Sequence, residues 1–176
     1  MFYRRHLPHW IPEGTIPFLT WRLAGSIPLS DTHSGPFWLQ DPRIASLVAS
    51  ALRFGDAERS LYDLYAWVIL PNHVHAIFQP RAPLPRIMRW LKGRTGRRAN
   101  HMLGRAGSPF WQDESFDHWI RTREELRELI RYVEFNPVTA GLVEQPEDWP
   151  WSSAFGGQTT ETDRLPHSTR PTFCGS

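Results

Sequence analysis

The 176 residues are 40% hydrophobic and 13% aromatic, which excludes a wholly disordered chain and suffices for one domain around one core. No apolar run approaches the ~20 residues that span a bilayer, and the basic pair Arg4-Arg5 is followed by no apolar stretch of the signal-peptide kind. The single cysteine, Cys174, can form neither an internal disulfide nor a cysteine metal site, so a soluble cytoplasmic protein is expected. The net charge of +2 does not single out a nucleic-acid partner, but its distribution is uneven. Residues 81–105 carry Arg81, Arg86, Arg89, Lys92, Arg94, Arg97, Arg98 and Arg105 with no carboxylate. Residues 113–148 hold ten of the 18 carboxylates, so one face should carry a positive field.

In chain order, residues 1–17 are rich in Pro, His and Arg and form an irregular lead-in. Phe18 to Leu23 alternates well enough for a first strand. Asp41-Pro42 places an N-cap and a first-turn proline, and Ile44, Leu47, Val48, Ala51 and Leu52 continue at helical spacing. Tyr62–Leu70 reads as a strand, Pro71-Asn72 as a tight turn, and His73–Phe78 as the paired strand. A second helix is marked by Leu84, Ile87, Met88, Leu91 and Thr95, although Gly93 and Gly96 weaken it by about 1 kcal/mol each. Thr122 with Glu125 is a capping box that starts a third helix on Leu126, Leu129, Ile130 and Val133, and Pro137 and Gly141 punctuate its end. From Gly156 onward the composition is that of a disordered tail. The expected fold is a single α+β domain over residues 1–155, a small antiparallel sheet covered by helices.

Four residues carry the chemistry. His73 and His75 lie at i and i+2 of a strand and so point to one face, where two imidazoles can converge on a divalent ion. An isolated His-x-His is nevertheless more often a pair of hydrogen-bonded histidines. Tyr132 lies one position off the apolar stripe of the third helix, and Asn136 follows four residues later on the same side. The amide could add a hard oxygen to the two ring nitrogens. Alone, Tyr132 reads as an amphipathic core residue and Asn136 as a helix-end polar group.

Longer motifs change that balance. The stretch Tyr65-Ala66-Trp67-Val68-Ile69-Leu70-Pro71-Asn72-His73-Val74-His75 resembles the His-hydrophobic-His strand of the single-tyrosine, HUH-type transposases. Three further stretches resemble the subgroup associated with repetitive extragenic palindromes: Phe110-Trp111-Gln112 through Phe116-Asp117-His118-Trp119-Ile120-Arg121, Tyr132 through Val143, and Asp148 through Ser153. The resemblance implies a ferredoxin-like central sheet, action on single-stranded or hairpin DNA, metal ligation by His73 and His75, and Tyr132 as nucleophile. Asn136 stands where relatives carry a polar ligand. It also implies a place on the nucleoid and palindromic repeat DNA as partner; phosphate chemistry suits Mg²⁺ or Mn²⁺ as cofactor, although two histidines could equally hold zinc. Relatives act as monomers or as dimers with shared sites, so a homodimer is among the arrangements allowed.

A phenol titrates near 10 and is a poor nucleophile unless positioned and assisted. With a divalent ion on the scissile phosphate, Tyr132 would attack in line to leave a 3′-hydroxyl and a 5′-phosphotyrosine. In the basic segment, Arg89, Lys92, Arg94, Arg97 and Arg98 are expected to pair DNA phosphates. Two other readings compete: a hydrolytic metallo-nuclease in which water attacks, and a catalytically idle DNA-binding module. An amidohydrolase barrel with a His-x-His strand is excluded by length, since such barrels need ~250 residues.

Overall fold

The computed structural model describes residues 14–26, 35–115 and 118–157. The first strand, β1 (Ile16–Arg22), includes Pro17, which the sequence placed in the lead-in. Pairing with the neighbouring strand on one side begins only at Phe18, so the absent Pro17 N–H interrupts no ladder bond there. Helix α1 (Pro42–Ala57) starts as expected: the Asp41 carboxylate accepts from the Arg43 backbone N–H at 2.9 Å, and Pro42 needs no donor.

Strands β2 (Tyr62–Ile69) and β3 (His73–Pro80) form the hairpin around Pro71-Asn72. Helix α2 (Leu84–Met102) follows, and Gly96 in its interior has a packing reason. A Cβ there would lie 3.3 Å from both Phe110 and Trp111, so glycine lets the 110–111 segment lie against the helix. Strand β4 (His118–Ile120) is only three residues long and carries no periodicity that a sequence reading could use. Helix α3 (Arg123–Thr139) is capped by Thr122, whose hydroxyl accepts from the Glu125 N–H at 3.1 Å. It does not stop at Pro137. One turn further on, Gly141 takes a left-handed φ of 68°, and Leu142 N–H reaches back to the Pro137 carbonyl at 2.9 Å.

The sheet order is β2-β3-β1-β4, antiparallel throughout. With α1 and α2 as crossovers this is the βαββαβ arrangement of ferredoxin-like folds, an α+β architecture as expected. Strand alternation divides the core into two layers. Leu19, Trp21, Trp67, Ile69, Val74, Ala76 and Phe78 pack under α1 and α2. Phe18, Val68, Leu70, Ile77 and Ile120 pack under α3 on the opposite face. A bulge between Leu64 and Ala66 puts Tyr65 and Ala66 together on the α3 side.

The C-terminal motif has a mechanical role. Trp151 O accepts from Ile69 N–H at 2.8 Å, Ser153 N–H donates to Trp67 O at 2.9 Å, and Trp149 Nε1 donates to Ile69 O at 2.9 Å. Residues 149–153 therefore pair along β2, which would otherwise be an open edge. The expected tail lies almost wholly outside the described residues, as does most of the lead-in. No helix among the described residues is long and apolar enough to cross a membrane.

Candidate functional site

The central strand β3 turns Val74, Ala76 and Phe78 towards α1 and α2, which leaves His73, His75 and Ile77 facing α3. Both histidines are buried, at 4% and 1% exposure, with ring centroids 4.8 Å apart. Each is held through Nδ1. His73 Nδ1 donates to the Asn72 side-chain oxygen at 2.7 Å, and His75 Nδ1 lies 2.7 Å from Thr20 Oγ1 on β1. The His73 bond fixes its tautomer, because an amide oxygen only accepts; its Nε2 therefore keeps a free lone pair. His75 Nε2 is fully buried with no hydrogen-bond partner among the described residues.

A buried nitrogen left without a partner costs about 1–3 kcal/mol unless something outside the chain satisfies it. Ligating histidines commonly direct one ring nitrogen at the metal and anchor the other by a hydrogen bond, and both rings here have such an anchor. Electrostatics agree. Burial, then the Arg22 guanidinium, pushes His73 down to about 4. Burial, then His73 and Arg22, holds His75 well below the ordinary 6.5. Both rings are thus neutral at neutral pH, the form that ligates.

Helix α3 brings Tyr132 to the same place. Its ring centroid lies 5.8 Å from that of His75 and 6.0 Å from that of Phe18, and the side chain is 47% exposed. The phenol thus stands at the solvent edge of the pair. Asn136 is half-buried one turn further on. Ala140, one turn beyond, lines a pocket with His73. Tyr132, Asn136 and Ala140 are spaced at i, i+4 and i+8, so the three lie along one side of the helix. Among the described residues no group of three His, Cys, Asp or Glu could hold a metal. The Asn136 amide oxygen is a donor of another kind on the α3 side. Two imidazoles and a hard oxygen fit a divalent ion with positions left over for phosphate and water.

Sequence reading missed several neighbours. Phe18 stacks on His75 at 5.4 Å and meets His118 edge-on at 5.6 Å, as well as touching Tyr132. An aromatic ring in β1 gave no signal by itself. Arg22, opposite His73 in the β1–β3 register, brings positive charge to the site from a strand that carried no motif. Glu134 on α3 is 6% exposed and accepts from Ser153 Oγ at 2.8 Å, while that hydroxyl accepts from Trp67 N–H at 3.2 Å. This three-way contact ties the helix bearing Tyr132 to the strip along β2. His118 pairs with Glu125 at 3.1 Å, consistent with a structural role at the β4–α3 junction.

The basic segment is arranged differently from the expectation. It forms α2, in the layer opposite the histidines and Tyr132. Lys92 is a correction. Its ammonium is turned inward, donating to the carbonyls of Gln112, Asp113 and Glu114 at 2.7, 3.0 and 3.1 Å. These three bonds leave the half-buried ammonium no donor for a phosphate, and desolvation lowers it to about 8. Arg81 pairs with Asp63, Arg105 stacks on Trp38, and Arg94 lies over Phe54 at 5.4 Å. Arg89, Arg94, Arg97 and Arg98 are exposed.

Residues 53–136 match the sequence model of the family described as transposase IS200-like. A solved structure titled as a REP-associated tyrosine transposase bound to a REP hairpin superposes with a TM-score of 0.58 at 25% identity, covering 86% of this chain and 81% of that one. Over residues 53–136 the chain is thus similar to the IS200-like transposases. Among them, the REP-associated tyrosine transposase of Escherichia coli K12 is 32% identical over 93 residues, covering 52% of this chain and 54% of its own length. A relative from Haemophilus influenzae Rd is 32% identical over 104 residues, covering 52% and 58%. The chain thus spans about half the length of the curated relatives it matches. The family match runs from late α1 to Asn136, so it includes both histidines and Tyr132.

Proposed function

We propose that this chain cleaves and rejoins single-stranded or hairpin DNA through a covalent bond between DNA and Tyr132, with His73, His75 and Asn136 holding Mg²⁺ or Mn²⁺. The observation that carries this is the half-exposed phenol 5.8 Å from a buried, neutral histidine whose outer nitrogen has no partner among the described residues. Kinship with proteins named as REP-associated tyrosine transposases supports the substrate class.

The bound ion would supply charge neutralisation at a non-bridging oxygen of the scissile phosphate. The remaining work falls to the chain. Asn72 and Thr20 fix the imidazole planes, so the ligand set needs little rearrangement. Phe18 backs both the His75 ring and the phenol, limiting the positions Tyr132 Oη can take. That oxygen forms a bond to phosphorus as the bond to the 3′ oxygen breaks. The phenolic proton leaves to solvent at the exposed edge, and the departing oxygen takes a proton to become a 3′-hydroxyl. The bond energy stays in the 5′-phosphotyrosine, so a 3′-hydroxyl can reverse the step and join strands without a nucleotide cofactor. Arg22 and the exposed arginines of α2 are proposed phosphate contacts, Arg22 at the site and Arg89, Arg94, Arg97 and Arg98 on more distant parts of the DNA.

The test is incubation with end-labelled hairpin DNA carrying single-stranded flanks, with and without Mn²⁺, followed by a denaturing gel. A metal-dependent band of protein-linked DNA is expected. Cleaved product with no linked band would favour hydrolysis by water, and no reaction at all would favour the idle DNA-binding module.

A further inference from the structure

At the His73 end of the site lies a pocket of about 260 Å³, lined by Phe37, Gln40, Leu70, Asn72, His73 and Leu142 among others. We propose that it receives one unpaired nucleobase from the strand flanking the scissile phosphate, an inference that rests on the DNA-cleaving reading above. Three observations select this occupant. The pocket shares His73 with the proposed metal site, so a phosphate held there leaves the neighbouring nucleoside at its mouth. The stripe from Tyr132 to Ala140 covers about 12 Å along the helix, a stretch that adjacent nucleotides can follow. The volume lies below the ~300–1,000 Å³ of pockets for drug-sized ligands and suits a single ring system.

The lining has the chemistry for a base. Phe37 offers an aromatic face, and stacking on such faces is the general means of holding unpaired bases. Two carboxamides face the same space. Asn72 gives its oxygen to His73, which leaves its NH2 free to donate, and the Gln40 side chain is exposed and makes no hydrogen bond among the described residues. Carboxamides pair naturally with the donor and acceptor edges of bases. Apolar Leu70, Pro71 and Leu142 close the remaining walls. The walls are also fixed: Leu39 N–H donates to Pro71 O at 3.2 Å, pinning the Phe37–Gln40 turn to the hairpin, and Leu142 is tied back to Pro137.

The test uses the full chain with Tyr132→Phe, which prevents turnover, and fluorescence anisotropy on a labelled hairpin. An abasic nucleotide is moved one position at a time along the flank. At one position it should weaken binding about tenfold or more, the range expected for loss of a stacked base, with little effect elsewhere. Gln40→Ala and Leu142→Trp, both at exposed side chains, should weaken binding to intact DNA and cost nothing further on that abasic DNA. Phe37→Ala should do the same if its melting temperature is unchanged. Wild-type affinity in Gln40→Ala and Leu142→Trp, or losses that add to the abasic effect, would overturn the pocket assignment. In a parallel reaction with unmodified Tyr132, cleavage that no abasic position affects would refute the base pocket and leave the function standing. Absence of both binding and cleavage would refute the function, and this inference with it.

Discussion

Phe18 touches His75, His118 and Tyr132, so three elements converge on one side chain that no motif marks. The two histidines it backs are neutral for a physical reason, and that reason predicts a pH dependence. Their folded values lie below the unfolded 6.5, with His73 at about 4. As pH falls through this window the unfolded chain binds protons that the folded site refuses. Stability is therefore complete above about 6.5 and declines towards 4, by about 3 kcal/mol for His73 alone. Urea melts of metal-free protein at pH 7.5, 6 and 5 should show this decline, and His73→Gln should flatten it. An unchanged slope in the variant would mean that His73 is not buried as described. For the ligand set, calorimetric Mn²⁺ titration should lose its signal in His73→Ala and His75→Ala. In Asn136→Ala the affinity should fall about 10–100-fold, and an unaltered titration would place the third donor elsewhere.

Helix α3 carries Tyr132 and Asn136 on one side and the buried Glu134 on another, so its placement decides whether the site exists. The Glu134–Ser153–Trp67 contact fixes that placement against β2. Glu134→Ala leaves a buried hydroxyl short of its acceptor and should cost about 1–3 kcal/mol. It should slow single-turnover cleavage more than it weakens DNA binding, and Glu134→Gln, which can still accept, should recover most of both. Equal stability in all three proteins would show that the contact holds nothing in place. Much at this scale was legible. The cap at Asp41, the capping box at Thr122 and the i, i+2 histidines are local patterns with local causes, and they placed α1, α3 and β3. Strand β4 was not, because three residues cannot display a period of two and its pairing depends on β1. The 149–153 strip was visible as a motif only, since its bonds reach 80 or more residues back to β2. Lys92 was misread because charge counting cannot tell an exposed ammonium from one turned onto three carbonyls.

At the scale of the whole molecule the sheet separates two kinds of surface, with the proposed chemistry under α3 and the arginine-rich α2 behind it. DNA that meets both must pass around the domain, and salt dependence can detect it. Replacing Arg94 and Arg98 together should flatten the plot of log affinity against log salt by roughly 0.7 units per lost single-strand contact, alike for cognate and scrambled sequences. Lys92→Met should leave that slope unchanged while altering the melting temperature. If neither arginine matters, α2 is a solvated back and the DNA stays on the α3 side. The central claim remains the covalent bond to Tyr132. Its most direct test is to trap the reaction with labelled hairpin DNA and Mn²⁺, digest with trypsin and nuclease, and map the nucleotide by mass spectrometry. Tyr132 follows Arg131 and so falls in a peptide apart from Tyr3, Tyr62 and Tyr65. The account predicts a nucleotide on the Tyr132 peptide and none in Tyr132→Phe; a nucleotide on another tyrosine, or an adduct that survives in the variant, would contradict it.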